Sequence, residues 1–154
     1  MNKVIKTQLP QNSLLQERIN ATDFVDCFCV ESELEPRHAA QIITSFPGWA
    51  RFLLLIRNLA IKPFGLSSDG PAAADKIGAF PVEIDSPLEI IAGFNDKHLN
   101  FRVSVISQDG QVFLATWVRT NNIAGKIYLK TILPFHILIA RDALSRVHYA
   151  SRAA

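Results

Sequence analysis

Only two cysteines, one methionine and two tryptophans occur among the 154 residues. The cysteines, Cys27 and Cys29, stand one residue apart, where a disulfide between them would be badly strained. Free thiols suit a reducing compartment, so a disulfide-stapled secreted scaffold is not expected. The opening segment MNKVIKTQLPQNSLLQ has no continuous apolar stretch of the kind a secretory leader needs. The longest apolar stretches, FLLLIRNLAI and ILPFHILIA, are interrupted by Arg57 or His136 and fall short of the ~20 residues that span a bilayer. These absences together predict a soluble, cytoplasmic protein without a transmembrane segment.

Signature motifs are missing as well. There is no G-x-S-x-G elbow, no glycine-rich phosphate loop, no zinc-finger spacing and no aromatic RNA-binding signature. Nucleic acid is therefore not an expected partner, no cofactor is implied, and nothing names an enzyme. Four scattered histidines and a Cys-x-Cys lack the paired spacing of a metal site, although Cys27 and Cys29 could meet His136 in space.

What is present is a chain 49% hydrophobic, enough for one domain over residues 1–154 with a substantial core. Net charge is only +2, but residues 119–152 hold six basic side chains against the single acid Asp142. Such a segment can meet anionic lipid or a partner; the plainer reading is the solvated side of a helix.

Residues 1–20 carry weak signals and read as a lead-in. TDFVDCFCVE reads as a strand with Phe24, Asp26, Phe28 and Val30 on one face and Val25, Cys27 and Cys29 on the other. Pro36 opens a short helix, and Pro47 opens a second, apolar at Trp49, Phe52, Leu53, Ile56, Leu59 and Ala60, which ends before Pro63 and Gly65. SSDGPAAADK, residues 67–76, reads as a mobile loop. Four strands follow, IGAFPVEI, LEIIAGF, HLNFRVSVIS and QVFLATWVRT, the last two joined by Asp109-Gly110, a strong type I′ hairpin signal. From Asn122 a long helical stripe runs through Tyr128, Ile132, Phe135 and Leu138, with Pro134 predicting a kink or a break near Lys130. Segregated strands and helices make an α+β layout, a curved antiparallel sheet gripping its last helix, with two helices inserted after the first strand. A cavity between sheet and helix is the expected seat of function.

The blocks DFVDCF, WARFLLLIRNLAIKPFGL, KHLNFRVSV and VRTNNIAGKIYLKTILPFHILIA, in that order, resemble the bacterial family called domain of unknown function 2867 over about Asp23 to Leu144. That family is grouped with helix-grip proteins similar to START-type lipid-binding domains and polyketide cyclases. The resemblance implies the same fold and supplies no reaction.

Candidate residues follow from the faces. In NDKHLNFRVSV the polar positions His98, Asn100, Arg102 and Ser104 alternate with Leu99, Phe101 and Val103, and Thr116, Trp117, Val118, Arg119 and Thr120 stand on the neighbouring strand. If the polar face lines the cavity, Arg102 or Arg119 would anchor an anionic group and His98 would carry a proton. The plainer alternative is that this face meets water while the apolar one packs inward. Trp117, Tyr128, Phe135 and His136 would line the apolar wall. Arg57, in the most apolar helix, needs a partner, and Asp26 is the natural one, as a structural pair. The leading expectation is a module holding a small, largely apolar or amphipathic molecule with an anionic end. The alternatives are an enzyme acting on such a molecule through His98 or Asp26, or a protein that docks on partners or an anionic membrane through its basic terminal helix.

Overall fold

The computed structural model describes residues 4–45, 74–78 and 80–153. Five strands follow the alternation read from the sequence: β2 Phe24–Glu31, β4 Phe80–Asp85, β5 Glu89–Asn95, β6 Leu99–Gln108 and β7 Gln111–Thr120. Two-residue strands, β1 Ile5–Lys6 and β3 Lys76–Ile77, extend the two edges. The order is β1-β2-β7-β6-β5-β4-β3 with antiparallel pairing throughout, so β2 closes onto β7 beside the meander. A register shift between Val82 and Ile84 disrupts the β4–β5 ladder, a device that bends a strand and increases its twist. Among the described residues the helices are α1 Pro36–Ile43 and α2 Ile123–Ala153, and the architecture is α+β with a long terminal helix on an antiparallel sheet. The helix expected from Pro47 towards Pro63, with Arg57, lies outside the described residues, as do residues 67–73 of the expected loop.

Local chemistry sets the joints. Asp109 and Gly110 take φ of 53° and 74°, the paired positive values of a type I′ turn, and the β6–β7 ladder runs unbroken into them. At the start of α2, Asn122 Oδ1 accepts from the Gly125 N–H at 3.0 Å, a side-chain cap of an otherwise orphan donor. Of the kink or break expected at Pro134, the break does not occur; α2 is one 31-residue helix with Pro134 inside it. Pro134 and Lys130 are both exposed, so the carbonyl that proline deprives of its partner faces solvent.

One face of the sheet is covered by the helices. Phe28, Val30, Val105, Val112 and Leu114 pack with Ala39, Ala40 and Ile43 of α1 and Ala140, Ala143, Leu144 and Val147 of α2. The alanines let α1 and α2 lie close. Two arginines of α2 are ties rather than a solvated stripe: Arg141 donates to the Val4 carbonyl and lies over the Phe28 ring, and Arg146 pairs with Asp142 and donates to the carbonyls of Ile42 and Ser45.

Much of the opposite face of the sheet is covered rather than open to water, contrary to the plainer expectation for Arg102 and Ser104, which are buried, while Asn100 is half-buried. The amino-terminal segment crosses it, with a 3-10 turn at Leu14–Arg18 that drives Leu15, 0% exposed, against Cys27, Ile91, Ala115 and Trp117. Three carboxylates clamp it. Buried Glu89 accepts from Ser13 Oγ at 2.7 Å, from the Leu14 N–H at 2.8 Å and from Ser104 Oγ. Glu83 joins Arg18 to Arg102, whose Nε donates at 2.7 Å. Asp23 accepts from Arg119 through both oxygens, at 3.1 and 2.9 Å, and from Trp117 Nε1 at 2.9 Å. Arg119 beside it holds the Asp23 carboxyl down at about 2.

Because that value is depressed, the Asp23 contribution to stability is complete above the ordinary carboxyl range near 3.8 and is lost as pH falls through about 2. Asp23→Asn should destabilise by on the order of 1 kcal/mol near neutral pH, allowing for water around the pair. In urea denaturation the gap between wild type and variant should shrink between about pH 4 and pH 2; a gap independent of pH would contradict the clamp. Gly125→Ala offers a second check. A Cβ there would meet the His98 carbonyl oxygen at 2.2 Å, so the substitution should cost about 1–3 kcal/mol. A helix interior relieved of glycine would instead gain up to about 1 kcal/mol, so the sign of the change in the denaturation midpoint decides.

Candidate functional site

The expected anionic anchors lie on the wrong side for a site beneath α2. Arg102, 6% exposed, turns to the back face and spends its guanidinium on Glu83, the Asn95 side chain and the Phe101 carbonyl. Arg119 is held by Asp23 and the Arg18 carbonyl. Trp117, 1% exposed, has the guanidinium groups of Arg18 and Arg119 over its ring, at 5.3 and 5.1 Å from the centroid. All three residues hold the amino-terminal segment to the sheet. Arginine on a sheet face reads equally as a ligand anchor or as a clamp for a covering segment, and the cover itself has too little periodicity to be read from sequence.

His98 stands in the β5–β6 turn at the amino end of α2, with its Nδ1 2.8 Å from the Asn122 side-chain nitrogen. It positions the residue that caps the helix. Cys27 is buried on the back face, where burial above all, with Cys29 and Asp26 nearby, pushes its thiol up to about 12. Burial also raises Cys29. Neither is a thiolate nucleophile near neutral pH. His136 rides α2 on the other side of the sheet, so the Cys27–Cys29–His136 meeting that the sequence left open does not form.

On the helix face the strand pattern places one polar pair among apolar neighbours. Asp26 of β2, opposite Thr116 of β7, is 7% exposed. Its Oδ2 lies 2.9 Å from His136 Nε2. Arg57, expected as its partner, is outside the described residues. Oδ1 of Asp26 is buried and, among the described residues, has no hydrogen-bond partner. The Phe24 ring meets His136 edge-on at 6.4 Å. On one side of the pair the main core begins at Phe28 and Leu114; on the other, Leu99, Val118 and Tyr128 form a second cluster with Phe24, Phe101, Leu129 and Ile132 packed on it. Tyr128 is buried in this cluster between sheet and helix, whereas Phe135 is 45% exposed.

Chemically the pair resembles a base and its orienting acid. Nε2–H of His136 donates to Oδ2, which in a neutral ring leaves Nδ1 as an acceptor. The His136 side chain keeps 23% of its surface exposed, so the pair is reached from solvent along the α2 edge. Pairing of Asp26 with His136 was legible only in part: the sequence marked Asp26 as the odd member of its strand face and His136 as a polar residue on an apolar helix, but not their meeting.

Two clefts lie elsewhere. One of about 170 Å³ is lined by Asn12, Leu14, Ser86, Leu88, Glu89 and Ile106. A broader one of about 490 Å³ lies between the β6–β7 turn and the last turns of α2, by Glu31, Asp109, His148 and Arg152. Neither reaches Asp26 or His136. Along the first half of α2, Ile123, Ile127, Phe135 and Leu138 are exposed at helical spacing, beside Lys126 and Lys130. By length and composition Ile123–Arg152 is also long and apolar enough to cross a bilayer, which the interrupted runs of the sequence did not suggest. Its second half is packed into the core.

No curated protein and no solved structure matches the chain. The model of one family, Protein of unknown function (DUF2867), matches residues 18–143, from the 3-10 turn through the buried turns of α2. The match takes in both Asp26 and His136, and on its extent the chain belongs to the DUF2867 family.

Proposed function

We propose that the protein binds a small, largely apolar molecule at the junction of β2, β7 and α2, with Asp26 and His136 as its polar contact. The single observation that carries this reading is the buried Asp26 Oδ1, an acceptor without a donor among the described residues, set between two apolar clusters. A buried polar atom left unmatched costs about 1–3 kcal/mol, and native structures keep few of them without a reason. The solvent-reached His136 edge supplies the entry, and Phe24, Tyr128 and Ile132 supply apolar contact. The probe for this reading is N-phenyl-1-naphthylamine, a neutral apolar fluorophore. Titrated into isotope-labelled protein, it should saturate at one equivalent and shift the amide signals of residues 24–27, 116–118 and 129–136. Shifts confined to the back face, or no saturable binding, would contradict the reading.

The exposed stripe on α2 favours a second reading, docking on an anionic membrane surface. Ile123, Ile127, Phe135 and Leu138 would enter the acyl boundary while Lys126 and Lys130 meet headgroups, and no acid lies between Asp109 and Asp142. Each lysine near such a surface contributes about 1 kcal/mol. Sedimentation with vesicles of phosphatidylserine and phosphatidylcholine should retain the protein at low salt and lose it with Lys126→Glu/Lys130→Glu. Equal retention of the double variant, or none of the wild type, would remove this reading.

A further inference from the structure

We infer that the molecule held at this junction presents a hydrogen-bond donor, a hydroxyl or a protonated amine, to Asp26 Oδ1. The inference rests on the proposed junction site and names the chemistry of its guest. Three observations converge on it.

The first is the inventory of hydrogen-bond capacity. Asp26 is an acceptor-only group when ionised, and one of its two oxygens has no donor among the described residues while the residue is 7% exposed. His136 Nε2 serves the other oxygen alone. A neutral His136 ring adds a second acceptor, Nδ1, at the same place. Among the described residues, the junction with a neutral His136 is thus rich in acceptors and short of donors.

The second is the fate of the cations. An acidic guest needs a positive partner, and the two arginines of the nearby strands that would supply one are on the back face. Arg102 is tied to Glu83 and Arg119 to Asp23. A carboxylate entering beside Asp26 would meet a like charge where little water screens the repulsion. An alcohol would donate one hydrogen bond to Oδ1, and an ammonium would add charge attraction.

The third is the contrast with the other buried carboxylates. Both oxygens of Asp23 and both oxygens of Glu89 accept hydrogen bonds from within the chain. The fold therefore matches its buried acids where they are structural, and Asp26 stands apart from them by one oxygen.

The test compares guests that share one chain and differ only in their ends. Decan-1-ol, decylammonium and decanoate displace bound N-phenyl-1-naphthylamine near neutral pH, and the two donor-bearing probes should do so at concentrations about tenfold or more below that of decanoate. In Asp26→Asn the advantage of decylammonium over decan-1-ol should disappear, because the charge is gone while an acceptor oxygen remains. A wild-type ranking with decanoate first or equal would overturn the inference, and so would an unchanged ranking in Asp26→Asn with intact thermal unfolding. Should the variant fail to fold, the wild-type ranking still decides. Failure of the fluorophore itself to bind would instead remove the junction site on which the inference rests.

Discussion

A carboxylate on the covered face of a sheet has lost its water and must be matched by donors from the protein or from a guest. Among the described residues, Asp26 is matched on one oxygen only. Much else about the helix-facing side follows from this. The strand alternation that turns Phe24 and Phe28 to the helix face carries Asp26 under α2 with them, and the length of α2 brings His136 over it. The Thr116 position beside Asp26 continues the polar interruption across to β7. Sheet and helix pack as apolar layers on either side of that interruption, and the chemistry of the junction is concentrated in it.

The back face obeys the same rule with the opposite result. Arg18, Arg102 and Arg119 would be costly beneath a covering segment without acids, and Glu83, Glu89 and Asp23 would be costly without donors. Together they leave the carboxylate oxygens of Asp23 and Glu89 occupied and bind residues 9–20 across the sheet. Hydrogen bonds to charged groups contribute about 1.5–3 kcal/mol each where both partners are held. Such a clamp specifies one position for a segment that has little regular structure to specify it otherwise. The sheet is therefore covered on both faces, by helices on one and by an irregular strap on the other.

Much of this was legible in the sequence, for reasons that can be stated residue by residue. The alternation of Phe24 to Val30 and of Leu99 to Val105 follows from the two-residue period of a strand. Asp109-Gly110 declared its turn through the positive φ both residues tolerate, and the stripe from Tyr128 onward declared a helix. Pro134 promised a kink or a break, and the helix runs on through it without breaking, where Pro134 and Lys130 are exposed. The strap was not legible, because a 3-10 turn and two-residue strands carry no period, and Leu15 is one leucine among polar neighbours. Without the strap, Arg102, Arg119 and Trp117 read naturally as cavity residues. Their alternation placed them correctly opposite Phe101 and Val118, but whether that face met solvent, a ligand or more chain depends on contacts across about ninety residues, which local pattern does not encode.

The most direct measurement is a crystal structure of the protein as purified, at a resolution that separates ordered water from organic density around Asp26. The account predicts density that belongs to no part of the chain, within hydrogen-bond distance of Asp26 Oδ1 and continuing between Phe24 and Tyr128. A donor from the chain itself on Oδ1, with β2 and α2 in contact throughout, would contradict it.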